Sequence, residues 1–283
     1  MIGIVTDSNS QIPADLARRL GIEVVPLTVT LDGVDYQEGV DLDADDFYAR
    51  FESGTPQVST SQPSPGAFAA AYQALAEAGA DDIVSVHIGS AISGTVNSAR
   101  LAAAGSPVPV RVVDTGSASF AVAFCAMEAA EAAAAGGTID EVVAAAERVG
   151  ALVGNVYVMR ALDLARAGGR LAADADPGAD PGTGAGLVPI FTLTGGAMRM
   201  AGLASDLGQA VRIMATHVRA AGTSLRVGVC VADRGTLPVV EALEDLLRDA
   251  PEVREIIRYR VGPSVGAHTG PGAAGAMFYP SPL

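Results

Sequence analysis

Two rhythms of apolar and polar residues divide the chain. In its first half, apolar runs at residues 2–6, 22–31, 83–88 and 108–113 have the length and β-branched content of buried strands. Around them, apolar positions recur at helical spacing, which predicts helices over 13–20, 45–51, 65–78, 93–104, 117–135 and 138–150. Strands and helices in alternation form the pattern of a parallel sheet covered by helices.

Past residue 150 the pattern changes. An apolar segment at 153–158 leads to a helix ending at Ala167-Gly168-Gly169-Arg170. Residues 172–186, dense in Asp, Gly, Pro and Ala, have the composition of a mobile loop or linker. Strands are expected at 187–194 and 197–203 around the Gly195-Gly196 turn. A helix at 207–221, a strand at 226–232, a helix at 237–247 and strands at 255–261 and 274–279 follow. The expected fold class is α/β: an N-terminal domain at 1–150 with a parallel sheet covered by helices, and a second, α+β domain at 151–283.

With 283 residues, 49% of them hydrophobic, the chain can bury a sizeable core. Its richest apolar stretch, 118–135, is broken by Glu128 and Glu131 and reads as a packed helix, so no integral membrane contact is expected. The strand-like start at Ile2 leaves no room for a signal peptide. Cys125 and Cys230 fall in a helix and a strand, where buried free thiols suit a reducing, cytoplasmic setting. A net charge of −14 without a Lys/Arg run excludes a nucleic-acid partner and predicts repulsion from anionic bilayers. A lipid handled by this chain would have to be enclosed by it.

Candidate chemistry lies where a parallel sheet collects its strand C-termini and the helix N-termini that follow them. Thr6-Asp7-Ser8, Thr60-Ser61-Gln62-Pro63-Ser64-Pro65, the stretch from Gly89 to Thr95, and Asp114-Thr115-Gly116-Ser117 are all expected on that edge. Hydroxyls, close-approaching glycine backbone and helix N-termini together suit an anion. Plainer readings stand beside this one: Ser93 as a helix cap, 60–65 as a proline-started helix entry, and Asp7 and Asp114 as turn caps.

A second constellation, Val265-Gly266-Ala267-His268-Thr269-Gly270-Pro271-Gly272, is expected to be a tight loop. His87 sits in an apolar strand and His217 in a helix, so both read as structural. His268, placed in the loop, either meets an anion or pins its own turn. No His, Cys or carboxylate cluster has metal-ligand spacing, and no phosphate-binding glycine loop follows a strand, so neither a metal nor a nucleotide cofactor is expected.

Taken in order, Thr6-Asp7-Ser8, Thr60-Ser61-Gln62-Pro63-Ser64, Ser93-Gly94-Thr95, Gly168-Gly169-Arg170 and Gly266-Ala267-His268-Thr269-Gly270-Pro271-Gly272 resemble the DegV family over nearly the whole chain. The resemblance implies a second domain with a mainly antiparallel sheet, and a long-chain fatty acid as ligand. It also implies a separate fatty acid kinase that phosphorylates the bound carboxylate, the acyl phosphate then entering phospholipid synthesis. On that basis Thr60 and Ser93, with Ser61, Gly94 and Thr95 beside them, are expected to hold the carboxylate. His268, with Thr269, is expected to complete that network and to serve phosphoryl transfer. Arg170 matches a kinase-docking arginine, and Arg199 is a second candidate for docking. The chain departs from the family pattern between Arg170 and Ala197, where its Asp/Gly/Pro-rich stretch replaces a tidier helix and loop. About a dozen buried methylenes at ~0.8 kcal/mol each contribute on the order of 10 kcal/mol before association costs, so a tail would supply affinity and a polar rim orientation. The rival reading is a stand-alone small-molecule enzyme with His268 as nucleophile or general base.

Overall fold

The computed structural model describes residues 1–169, 171–172 and 186–281. Arg170 and nearly all of the 172–186 stretch, and with them the expectations of docking and mobility, lie outside these residues. The chain forms two compact units, and neither is one continuous stretch of sequence. Met1–Leu42 with Gln57–Leu152 make the first; Asp43–Pro56 with Val153–Leu283 make the second. The expected linear division near residue 150 therefore misassigns residues 43–56, which leave the first unit between two strands of one small sheet.

The first unit runs β1 (Ile2–Asp7), α1 (Ala14–Leu20), β2 (Ile22–Val25), β3 (Thr28–Leu31) and β4 (Val34–Gln37). After α2 (Ala44–Ala49), which belongs to the other unit, come β5 (Val58–Ser61), α3 (Pro65–Glu77), β6 (Asp82–His87), α4 (Thr95–Ala103), β7 (Val110–Asp114), α5 (Phe120–Ala134) and α6 (Ile139–Leu152). Four strands in the order β2-β1-β6-β7 pair in parallel. Both faces of this sheet are covered, which is why β1 and β6 are buried from their second residue to their last. Phe68 and Tyr72 of α3 and Ala99 and Ala102 of α4 pack with Val5, Val25 and Ile83. On α5, every residue from Phe120 to Met127 is buried; its small side chains let α6 approach closely.

Two expectations change here. The apolar run 22–31 is not one strand: Pro26 cannot donate to a ladder, and beyond it the chain leaves the parallel sheet. β3 instead centres a three-stranded antiparallel sheet in the order β4-β3-β5. Thr60 and Ser61 accordingly lie in β5, and the expected helix entry begins only at Ser64. The helix expected from 117 begins only at Phe120, after Ser119 at φ +60°.

The second unit continues with β8 (Gly154–Val158), α7 (Leu162–Ala167), β9 (Val188–Thr194), β10 (Ala197–Ala204), α8 (Leu207–Arg219), β11 (Leu225–Val231), α9 (Leu237–Arg248), β12 (Val253–Arg260), α10 (Pro263–Thr269) and β13 (Ala274–Pro280). Its six strands are ordered β10-β9-β8-β13-β11-β12 and are antiparallel except for the β11–β12 pair. The core forms where Val211, Met214 and Val218 of α8 and Val240, Leu243 and Leu247 of α9 meet Val227, Val229 and Phe278. The fold is thus mixed α/β, with a helix-covered parallel sheet and a mainly antiparallel one. No helix among the described residues is long and apolar enough to cross a membrane.

Candidate functional site

The central strands β1 and β6 end side by side, and their last residues meet. The Asp7 carboxylate accepts hydrogen bonds from the Asn9 backbone N–H at 3.1 Å and the Ile88 backbone N–H at 3.1 Å, and pairs with His87 Nδ1 at 2.9 Å. Asn9 Oδ1 in turn accepts from the Ser119 backbone N–H at 2.9 Å, linking this corner to the start of α5.

The loop leaving β6 is clamped to the loop leaving β7. Gly89 N–H donates to the Ser117 carbonyl at 2.7 Å, and a Cβ on Gly89 would stand 2.7 Å from the Gly116 carbonyl carbon. Only glycine permits that approach. Asp114 Oδ1 accepts from the backbone N–H groups of Ser90 at 3.1 Å and Gly116 at 3.0 Å. Partial burial pushes the Asp114 carboxyl up, but the hydrogen bonds from Ser90 and Gly116 outweigh it and hold the group below the ordinary carboxylate range.

Ser93 and Gly94 precede α4 instead of forming its first turn, since the helix begins at Thr95 and Gly94 caps it without a side chain. The Ser93 and Thr95 hydroxyls lie 2.9 Å apart, with Ser93 half-buried and Thr95 buried. Exposed Gly94 lies against Gln62: a Cβ there would be 3.0 Å from the Gln62 amide. The end of β5 and the entry to α4 are therefore neighbours, and the Thr60 and Ser93 segments come together. On β5 successive side chains face opposite ways. Thr60 shares its side with Val58 and is half-buried, whereas Ser61 faces the opposite, exposed side. Ser64 caps α3 by accepting from the Ala67 N–H at 3.1 Å, with Pro65 opening the helix, as its sequence predicts.

In the second unit the glycine-rich run around His268 is not the expected loop. It is the short helix α10, started by Pro263 and ended by Gly270 at φ +64°. Its glycines serve close packing: a Cβ on Gly266 would stand 2.6 Å from the Phe47 ring and 2.8 Å from Tyr48 Oη. The half-buried His268 ring rests on the end of α7, where a Cβ on Gly168 would come within 2.3 Å of Nδ1. Thr269 is buried and donates to the Val265 carbonyl at 3.2 Å, which commits its hydroxyl proton within its own helix. Arg199 stands exposed on β10, opposite Thr192.

Asp7 caps its turn and His87 is structural, as their sequence positions suggest; sequence reasoning overlooked that these two pair with each other and that Gln62 meets Gly94. The first two carried a readable signal, a carboxylate and an imidazole at the ends of two apolar runs; the contact of Gln62 with Gly94 carried none. Among the described residues, no three His, Cys, Asp or Glu side chains are grouped to hold a metal ion.

Fold and strand-end geometry together define a two-unit α/β protein whose parallel sheet ends in a rim of hydroxyls and backbone N–H groups. A model of the DegV family, described as an uncharacterised protein family, matches residues 1–281, and the chain belongs to that family. A DegV domain-containing protein from Streptomyces coelicolor is 38% identical over 277 residues, 98% of this chain and 97% of that one. The solved structure of a fatty-acid-binding DegV family protein from Thermus thermophilus superposes with a TM-score of 0.88 at 33% identity, covering 99% of each chain. DegV from Bacillus subtilis, described as a fatty acid binding protein, gives a TM-score of 0.86 at 26% identity, again over 99% of both.

Proposed function

We propose that this protein binds a long-chain fatty acid and presents its carboxylate for phosphorylation by a separate fatty acid kinase, acting in the cytoplasm without turnover of its own. The observation that carries the reading is the contact of Gln62 with Gly94 in the first unit, which makes neighbours of the segments that carry the half-buried Thr60 and Ser93. The fatty-acid-binding structures of similar fold support it.

In this reading Thr60 and Ser93 donate to the carboxylate, the backbone at Gly94 offers a further approach, and the tail supplies affinity. A carboxylate taken from water needs such partners, because an unpaired buried charge is very costly. Ser61 and Thr95 belong to the same segments, Ser61 on the outer face of β5 and Thr95 as support beneath Ser93. His268, backed by Thr269, serves the phosphoryl-transfer step, where an imidazolium offsets charge on the transferred group. Arg170 and Arg199 are the proposed kinase contacts, and no metal or organic cofactor takes part.

Denaturing extraction of the purified protein followed by mass spectrometry should release about one fatty acid per chain. Thr60→Ala and Ser93→Ala should each weaken fatty-acid binding by roughly 1.5–3 kcal/mol, the worth of a hydrogen bond to a charged group. His268→Ala should bind lipid yet yield no acyl phosphate with a cognate kinase. A lipid-free protein that also gives no calorimetric signal with added fatty acid would sink the reading.

A further inference from the structure

His87 is fully buried, lies in no candidate ligand segment, and is hydrogen-bonded through both ring nitrogens. Nε2 lies 2.6 Å from Ser85 Oγ, and that oxygen lies 2.9 Å from Tyr72 Oη. Nδ1 faces Asp7 Oδ2 at 2.9 Å. Asp7, His87 and Ser85 are each 0% exposed, and the Phe68 ring meets the imidazole edge-on at 4.9 Å.

A buried polar chain of this length is costly unless every member is satisfied, and an apolar residue at any link would pack more simply. Its position accounts for it. The His87 side chain holds Asp7, whose carboxylate also takes the Ile88 and Asn9 N–H groups. The His87 carbonyl accepts from the Thr115 N–H at 3.2 Å and Thr115 Oγ1 at 2.8 Å. One residue thus ties together the chain segments leaving β1, β6 and β7. Ile88 is the first residue beyond β6, and Gly89 to Ser93 follow directly.

We propose that His87 is the positioning residue of the headgroup rim: through Asp7 it fixes the 88–94 segment so that Ser93 stands where a carboxylate meets it. The inference rests on the fatty-acid reading. Its distinguishing consequence is selectivity. A general loss of packing weakens every ligand alike, whereas a displaced rim weakens a charged headgroup and spares a neutral one with the same tail.

The experiment measures affinities of the full chain, wild type and variants, for palmitate and for the alcohol of the same chain length. In His87→Leu, preference for the acid should fall by about tenfold while affinity for the alcohol stays within about twofold, since one charge-assisted contact is lost and tail burial is kept. Asn reproduces the Nδ1 donor toward Asp7 and Gln the Nε2 group toward Ser85, so His87→Asn should retain the preference and His87→Gln should lose it. This comparison stands even where His87→Leu fails to fold. Equal losses for acid and alcohol, or equal preference in the Asn and Gln variants, overturn the positioning role. A wild type that does not prefer acid over alcohol overturns the fatty-acid reading itself, and the role with it.

Discussion

Replacing Gly89 by alanine tests the clamp on which the rim depends. The new methyl carbon would stand 2.7 Å from the Gly116 carbonyl carbon and 2.9 Å from both Gly116 Cα and Ser117 N. All three are backbone atoms, so no side-chain rotation relieves the clash. The two loops must separate, stretching the 2.7 Å bond from Gly89 N–H to the Ser117 carbonyl. Overpacking of this kind costs about 1–3 kcal/mol, and the lost hydrogen bond about 0.5–1.5 kcal/mol more. Together they predict a destabilisation of about 1.5–4.5 kcal/mol for the first unit. Urea unfolding followed by circular dichroism, with hydrogen exchange at the β1 and β6 amides to isolate that unit, measures the change. Gly105→Ala is the control, because the nearest atom to its added methyl is the Ala102 carbonyl oxygen at 3.9 Å; its stability should stay within about 0.5 kcal/mol. A Gly89→Ala protein as stable as that control would refute the argument that backbone contact between the loops builds the rim.

Asp114 ties the Ser90 and Gly116 amides together through a carboxyl held below its ordinary range. A depressed folded-state value contributes stability that is complete above the unfolded value near ~3.9 and is lost as pH falls through the folded one. Protection of these two amides, each rate referenced to intrinsic exchange at the same pH, should therefore be lost only under strong acid, and Asp114→Asn should lower it at every pH. Burial pushes both Cys125 and Cys230 thiols up to about 12, so neither should react with a thiol reagent at neutral pH until the chain is unfolded. Gly168→Ala drives a methyl to within 2.3 Å of His268 Nδ1; the imidazole NMR signals of His268 should shift, at a stability cost of about 1–3 kcal/mol. Unchanged His268 signals would mean that the ring does not rest on the end of α7.

The parallel sheet was legible because both its faces are covered, which leaves its strands mostly apolar between helices of clear period. β3 was merged with β2 in the single run at 22–31, and β4 was hidden because it is short and has exposed positions such as Val34, so no run marks it. The detour of residues 43–56 into the second unit depends on contacts distant in sequence, such as Phe47 against Gly266. α10 was misread because glycine density signals a turn, whereas here the glycines admit neighbouring side chains against a helix. The hydroxyl segments could be found as motifs without all being placed correctly, since the sequence reads Thr60 as part of a helix entry yet it lies on a strand.

The structure also separates the polar residues by what their hydroxyls already do. Thr6 donates to the Val86 carbonyl at 2.9 Å, Thr115 to the His87 carbonyl at 2.8 Å and Thr269 to the Val265 carbonyl at 3.2 Å. Each is buried; the first two join one segment to another, and the third is consumed within its own helix. Thr95 is buried as well, with its oxygen 2.9 Å from Ser93 Oγ. Thr60 and Ser93 differ in being half-buried at element ends, with Ser93 backed by Thr95 and the helix that follows it. In the proposed function, a hydroxyl that is held in place yet not fully enclosed meets a ligand oxygen with little reordering. In the proposed function the threonines and serines at these strand ends thus divide in two: most of them build the rim, and Thr60 and Ser93 are the ones proposed to meet what it holds.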